Sequence, residues 1–192
     1  MAYKKHLYFI YLSIFPLMVC SGIVYSILAL YIKELGATTS QIGLIFTFGS
    51  FSGVIAAPIF GRLSDKKGRK PILVVSMAIF FVVFLLYSLA GTFLEIFPIQ
   101  ALEGIGWSAL GATASALIAD TVPSEARGIA MGMYTMVWYL GWVIGPALGG
   151  WLAEILGFKN TFLICSILIL LGFLMALKFI REPVLNNFDN KN

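Results

Sequence analysis

Charge is what this sequence has least of. Only 11% of its 192 residues are Asp, Glu, Lys or Arg, and long stretches hold none. Water-soluble domains carry about a quarter charged residues, so a soluble domain is excluded. Two cysteines rule out a disulfide framework, and with a single histidine they leave no clustered metal site. No segment follows the phosphate-cradling pattern GxxxxGK(S/T), so no nucleotide and no other cofactor is implied. A six-span serine protease or metal hydrolase would need a histidine inside the membrane. The only one, His6, stands at the amino-terminal edge, so no enzymatic activity and no catalytic residue is expected. The net charge of +4 does not point to nucleic acid, because the basic residues flank apolar spans.

What is present is apolar: 60% of residues are hydrophobic and the mean hydropathy is +0.95. Six stretches stand out, at about 7–32, 41–60, 72–91, 93–119, 128–153 and 161–180. Each is near or above the ~20 residues that cross a bilayer as helix. Backbone polar groups must be satisfied internally in hydrocarbon, and short alternating segments of a β-barrel are missing, so an all-α membrane protein with six transmembrane helices is expected. Eleven of the 13 basic residues flank one set of ends, among them Lys4, Lys5, Arg62, Arg127 and Arg181, while only Lys33 and Lys159 flank the other. The positive-inside rule then places both termini in the cytoplasm of a multi-pass cell-membrane protein. Short loops suggest that helices adjacent in sequence pack as antiparallel neighbours. Residues 1–182 read as one bundle and 183–192 as a disordered polar cytoplasmic tail.

Two rows of small residues interrupt the apolar spans. The fifth span carries Gly141, Gly145 and Gly149 at i, i+4, i+8, with Gly132 upstream and Pro146 and Gly150 flanking the row. The second carries Gly49, Gly53, Ala57 and Gly61 at the same step. Small residues let membrane helices approach closely. The residues alone leave the partner open: helices of this chain, or a surface outside it.

The segment from Gly61 through Asp65, Lys66, Gly68, Arg69 and Lys70 resembles the cytoplasmic signature of the major facilitator superfamily. The fifth-span series Gly132, Gly141, Gly145, Pro146, Gly149 and Gly150 is similar to the helix-packing motif of that superfamily's antiporter branch. Asp120 to Gly128 resembles the family's connection between fourth and fifth helices. The resemblance covers the whole chain. It implies half of a twelve-helix fold, the amino-terminal six helices, built as inverted three-helix repeats. It implies a transport function: secondary active movement of a small-molecule substrate, as proton-linked efflux or antiport by alternating access. The alternative is a truncated or split half-transporter that is inactive alone and serves as an assembly subunit. The resemblance gives Asp65 and its basic neighbours the role of a gating latch. It also turns the second and fifth helices toward an opposite half, so the two small-residue rows are expected to meet a partner not encoded here: a second six-helix half or a copy of this chain. Asp65 and Arg69, four apart, are close enough to pair if helical. Asp120 and Arg127 are expected to clamp the fourth-to-fifth connection.

An ionisable group inside a span costs roughly 2.5–3.5 kcal/mol on insertion scales, so the few that occur are informative. Glu103 lies near the middle of the fourth span, with Gln100 three residues before it and Trp107 four after, on one face. This patch sits at the depth where transporters bind substrate, and a carboxyl that takes up and releases a proton suits a coupling group. The superfamily usually places an arginine where this sequence has Gln100, which puts coupling by the usual route in doubt. Tyr25, on the first span, and Trp138, four residues beyond Tyr134 on the fifth, complete the substrate or proton candidates.

Overall fold

The computed structural model describes residues 2–182. The expected tail, 183–192, lies outside the described residues. The chain forms six long helices: α1 (Ala2–Glu34), α2 (Thr39–Lys67), α3 (Arg69–Leu89), α4 (Phe93–Thr121), α5 (Arg127–Leu156) and α6 (Phe158–Phe179), with a 3-10 turn at Ser124–Ala126. Even the 21-residue α3 reaches about 32 Å at 1.5 Å per residue, enough for a hydrocarbon core of ~30 Å. Five helices are both long and apolar enough to cross a membrane. The exception in apolarity is α4, which carries Gln100 and Glu103 in its interior.

The helices run further than the apolar stretches alone suggest, because polar ends continue the same hydrogen-bond ladder. The segment 61–71 is therefore no loop. It comprises the last two turns of α2, the single residue Gly68, and the first turn of α3. Gly68 has φ +95°, and a Cβ there would lie 2.7 Å from the Glu182 carboxylate. Only glycine makes this junction without strain. At its other end α2 starts with a capping box, Thr38 and Gln41 each accepting from the other's backbone N–H.

Packing does not follow chain order. The most extensive contacts are α1 on α5 and α2 on α4, then α3 on α4 and on α6, and α1 on α6. The sequence neighbours α1 and α2, and α2 and α3, barely touch. The expectation of antiparallel sequence neighbours holds only for α3 and α4, because close approach is decided by where the glycines are rather than by loop length. The pattern is that of two three-helix units, α1–α3 and α4–α6. Exchanging the units maps α1 on α5 to α4 on α2, and α1 on α6 to α4 on α3. Since α1 and α4 run in opposite directions, the units are inverted repeats.

The α5 row Gly141, Gly145 and Gly149 and the first half of the α2 row, Gly49 and Gly53, are covered inside the bundle, which corrects for these residues the expectation that they face an outside partner. A Cβ on Gly141, Gly145 or Gly149 would strike Met18, Gly22, or Ile23 and Ser26 of α1. A Cβ on Gly49 or Gly53 would strike Gln100 or Gly104 of α4. Ala57 is exposed, and Gly61, Gly132 and Gly150 meet nothing. What α2 and α5 leave bare is their apolar side. Leu44, Phe48, Phe51, Ile55 and Ile59 on α2, and Met136, Tyr139, Val143 and Trp151 on α5, are exposed. Only 17% of the apolar stretch of α2 and 22% of that of α5 is buried, against 67% for the central α1.

Candidate functional site

Polar groups converge where α3 and α4 meet α1. Side chains on a helix lean toward its N-terminus. Because α3 and α4 are antiparallel, Tyr87 leans from the end of α3 back into the bundle, and Gln100 and Glu103 lean toward it. The Tyr87 hydroxyl lies 2.5 Å from Glu103 Oε2 and 2.5 Å from Gln100 Oε1. Glu103 and Tyr87 are fully buried, and Gln100 is 3% exposed. Glu103 Oε1 and Trp107 Nε1 are buried and make no hydrogen bond of good geometry among the described residues, although the Trp107 indole and the Tyr25 hydroxyl both stand toward the carboxyl. The charged residues of the other helices all lie near helix ends, so no cation among the described residues balances Glu103.

Aromatic rings surround this carboxyl. Trp107 packs against Phe80, Trp138 and Tyr25, with centroids 4.9, 5.4 and 6.5 Å away. Tyr25 in turn approaches Phe46 and Trp142. A cavity of about 520 Å³ opens beside them, lined by Tyr25 of α1, by Phe46, Gly49, Ser50, Gly53, Val54 and Ala57 of α2, and by Gln100, Gly104, Trp107 and Ser108 of α4. That volume falls in the ~300–1,000 Å³ range of small-molecule sites. Glu103 lies behind the wall that Gln100 and Trp107 form.

All five substrate or proton candidates are thus gathered at one place: Glu103, Gln100, Trp107 and Tyr25 in direct proximity, and Trp138 one ring further out. Tyr87 is the member the sequence did not reveal. It lies on a different helix, and nothing in its own surroundings marks it.

A second cluster holds the basic end. Arg69 bonds Asp65 at 2.6 Å, Asp120 at 3.1 Å and Ser64 at 3.1 Å. The Glu182 carboxylate accepts the backbone N–H groups of Arg69 and Lys70 at 2.5 and 2.8 Å, and the Lys70 ammonium donates to Leu177 O at 2.9 Å. A carboxylate at a helix N-terminus complements its unpaired N–H groups. Lys66 is exposed on the last turn of α2. The expected clamp between Asp120 and Arg127 does not form. Asp120 turns to Arg69, and Arg127 Nε donates to Ala119 O at 3.3 Å. The turn at Ser124–Ala126 leaves the arginine over the end of α4, where carbonyls are unpaired.

Six long helices in two inverted units, five of them apolar enough to cross a membrane, with a cavity between α2 and α4 and a carboxyl buried behind it, define half of a transporter-type membrane fold. A family model described as the Major Facilitator Superfamily matches residues 10–191. The chain belongs to the major facilitator superfamily and is a multi-pass membrane protein. It is 28% identical to the quinolone resistance protein NorA of Staphylococcus aureus over 180 residues, covering 94% of this chain and 46% of that one. It is 32% identical to the multidrug resistance protein MdtG of Dickeya zeae over 190 residues, covering 95% and 46%. The human organic anion transporter MFSD10 (TETRAN) shares the fold with a TM-score of 0.80 at 15% identity, over 96% of this chain and 49% of that one. The chain spans about half the length of the relatives it matches.

Proposed function

We propose that the chain is the amino-terminal half of a secondary active transporter that exports a small amphipathic molecule in exchange for protons, by alternating access. The observation that carries this is Glu103: fully buried, with no counter-cation among the described residues, and separated from an aromatic cavity by Gln100 and Trp107. An intramembrane carboxyl is costly and marks proton relays in pumps and transporters. Rings of Tyr25, Phe46 and Trp107 suit a planar aromatic substrate. Relatives named for quinolone and multidrug resistance support efflux of such compounds.

The bare apolar sides of α2 and α5 are the surfaces a second six-helix half would cover, supplied by further polypeptide or by a copy of this chain. The basic end, with Arg69, Lys70, Arg127 and Arg181, would face the cytoplasm, and its ion-paired cluster would act as the latch there. A second reading is a half that is inactive alone. It is favoured by the cavity itself, whose α2 wall ends in exposed Val54 and Ala57.

The test is ethidium movement driven by a pH gradient in proteoliposomes, with the 192-residue chain alone and co-reconstituted with the carboxy-terminal half of a relative. Transport in one pairing, lost with its pH response in Glu103→Gln, supports exchange. An unchanged pH response in Glu103→Gln reduces Glu103 to packing. No transport in any pairing favours the second reading.

A further inference from the structure

The Tyr87 hydroxyl has one proton and two oxygen neighbours at 2.5 Å, Gln100 Oε1 and Glu103 Oε2. A tyrosine hydroxyl donates once and accepts otherwise, while an ionised carboxylate only accepts. One hydroxyl proton cannot serve both contacts, so in one arrangement Tyr87 donates to the Gln100 carbonyl and a protonated Glu103 donates to the Tyr87 oxygen. The Gln100 amide nitrogen is then turned outward. Nε2 lies 3.1 Å from where a Cβ on Gly49 would stand, and both Gly49 and Gln100 line the cavity. When Glu103 gives up its proton to solvent, the chain must reverse. Tyr87 now donates to the carboxylate, its oxygen is free to accept, and the Gln100 amide turns over so that its N–H₂ donates to Tyr87 and its C=O faces the cavity.

We infer that Tyr87 and Gln100 form a hydrogen-bond relay that reports the protonation state of Glu103 to the substrate cavity. The cavity offers a donor when Glu103 is protonated and an acceptor when it is ionised. A substrate carrying an N–H donor, such as an aromatic amine, therefore binds the ionised form and expels the proton. One that offers only acceptors is favoured by the protonated form. No other charge among the described residues enters the switch. The titratable groups facing Glu103 are Tyr87 of α3 and Tyr25 of α1, and the charged residues of α2, α5 and α6 are confined to their ends. Tyr87 is a positioning residue here, not a substrate contact. The relay rests on the exchange reading above but adds the chemistry of the coupling and the class of substrate.

Two cations of the same shape test it: 9-aminoacridine, with N–H donors, and 10-methylacridinium, with none. Binding to the full chain in detergent is followed by tryptophan quenching between pH 5 and 8. Direct attraction to an ionised Glu103 affects both probes alike, so the difference between them isolates the relay. The expected result is that raising pH strengthens 9-aminoacridine over 10-methylacridinium by about three- to tenfold, one hydrogen bond's worth. Tyr87→Phe should abolish that difference while both probes still bind. Gln100→Met should abolish it from the cavity side, which covers the case in which Tyr87→Phe does not fold. Equal pH responses of the two probes in the wild type, binding of neither probe, or a difference surviving in either variant overturns the relay. The two ideas fail separately. If Glu103→Gln removes the pH response and Tyr87→Phe keeps the probe difference, only the relay falls. If Glu103→Gln keeps the pH response, the exchange reading falls.

Discussion

The two glycine seams look alike in sequence and do different things. The α1/α5 seam is closed. Gly141, Gly145 and Gly149 press on α1 backbone, and Gly22 of α1 answers them, with a would-be Cβ 2.7 Å from Gly141 O. The α2/α4 seam begins the same way, with Gly104 lying against Gly49 O, but hydroxyls hold it. Ser52 donates to Ala101 O at 2.8 Å and Ser108 to Gly53 O at 2.6 Å. The cavity opens along its flank, from Phe46 to Ala57 of α2. A seam of glycine against glycine makes a fixed joint. A seam of glycine against polar side chains makes a joint with a binding surface in it. Inverted repeats thus supply two copies of one contact, of which one has been opened.

Substitutions should separate the two seams. The largest effect is expected from Gly145→Leu. With Gly22 Cα 2.6 Å from any added Cβ, α1 and α5 must part, at a cost of about 3 kcal/mol or more, read as loss of folded, monodisperse protein in detergent. Gly49→Ala is next. Its Cβ would fall 2.6 Å from Gln100 Cγ and 2.9 Å from the Gln100 backbone carbonyl, so α2 and α4 must give slightly as well as the side chain. About 1–2 kcal/mol of stability is expected to go, with the larger consequence in the cavity, where amine binding and its pH response weaken together. Ser108→Ala removes one interhelical bond and should lower stability by about 0.6–1 kcal/mol in thermal unfolding. Gly61→Ala, in open space on the same helix, should be neutral or stabilising by a few tenths to ~1 kcal/mol. A cost at Gly61 as large as at Gly49 would mean that the seam continues through the α2 end.

The sequence carried some of this and not the rest, for reasons that trace to particular residues. Gln100, Glu103 and Trp107 were legible as one patch because they share a helix, and helical spacing alone puts them on one face. The rows at Gly49 and Gly141 were legible as places of close approach, but not their partners. A glycine row records that something comes near without recording what, and here the partners, α4 and α1, lie two and four helices away in the chain. Tyr87 was invisible because its role exists only across the α3/α4 contact. The pairing of Asp120 failed for the same reason. Sequence proximity favoured Arg127, whereas the fold brings Arg69 from the far side of Gly68.

The basic-end cluster and the interior site differ in the same sense as the seams. Around Arg69 both aspartates meet its guanidinium at a partly exposed site where water screens the pairs, so Asp120→Asn should cost no more than about 1 kcal/mol. Glu103 has no such partner, and its state is free to change with what enters the cavity. Proton release on substrate binding tests this directly. 9-Aminoacridine added to the chain in unbuffered detergent solution should release up to about one proton per chain bound, and none in Glu103→Gln. Equal release from both proteins would place the exchanged proton elsewhere and contradict the account.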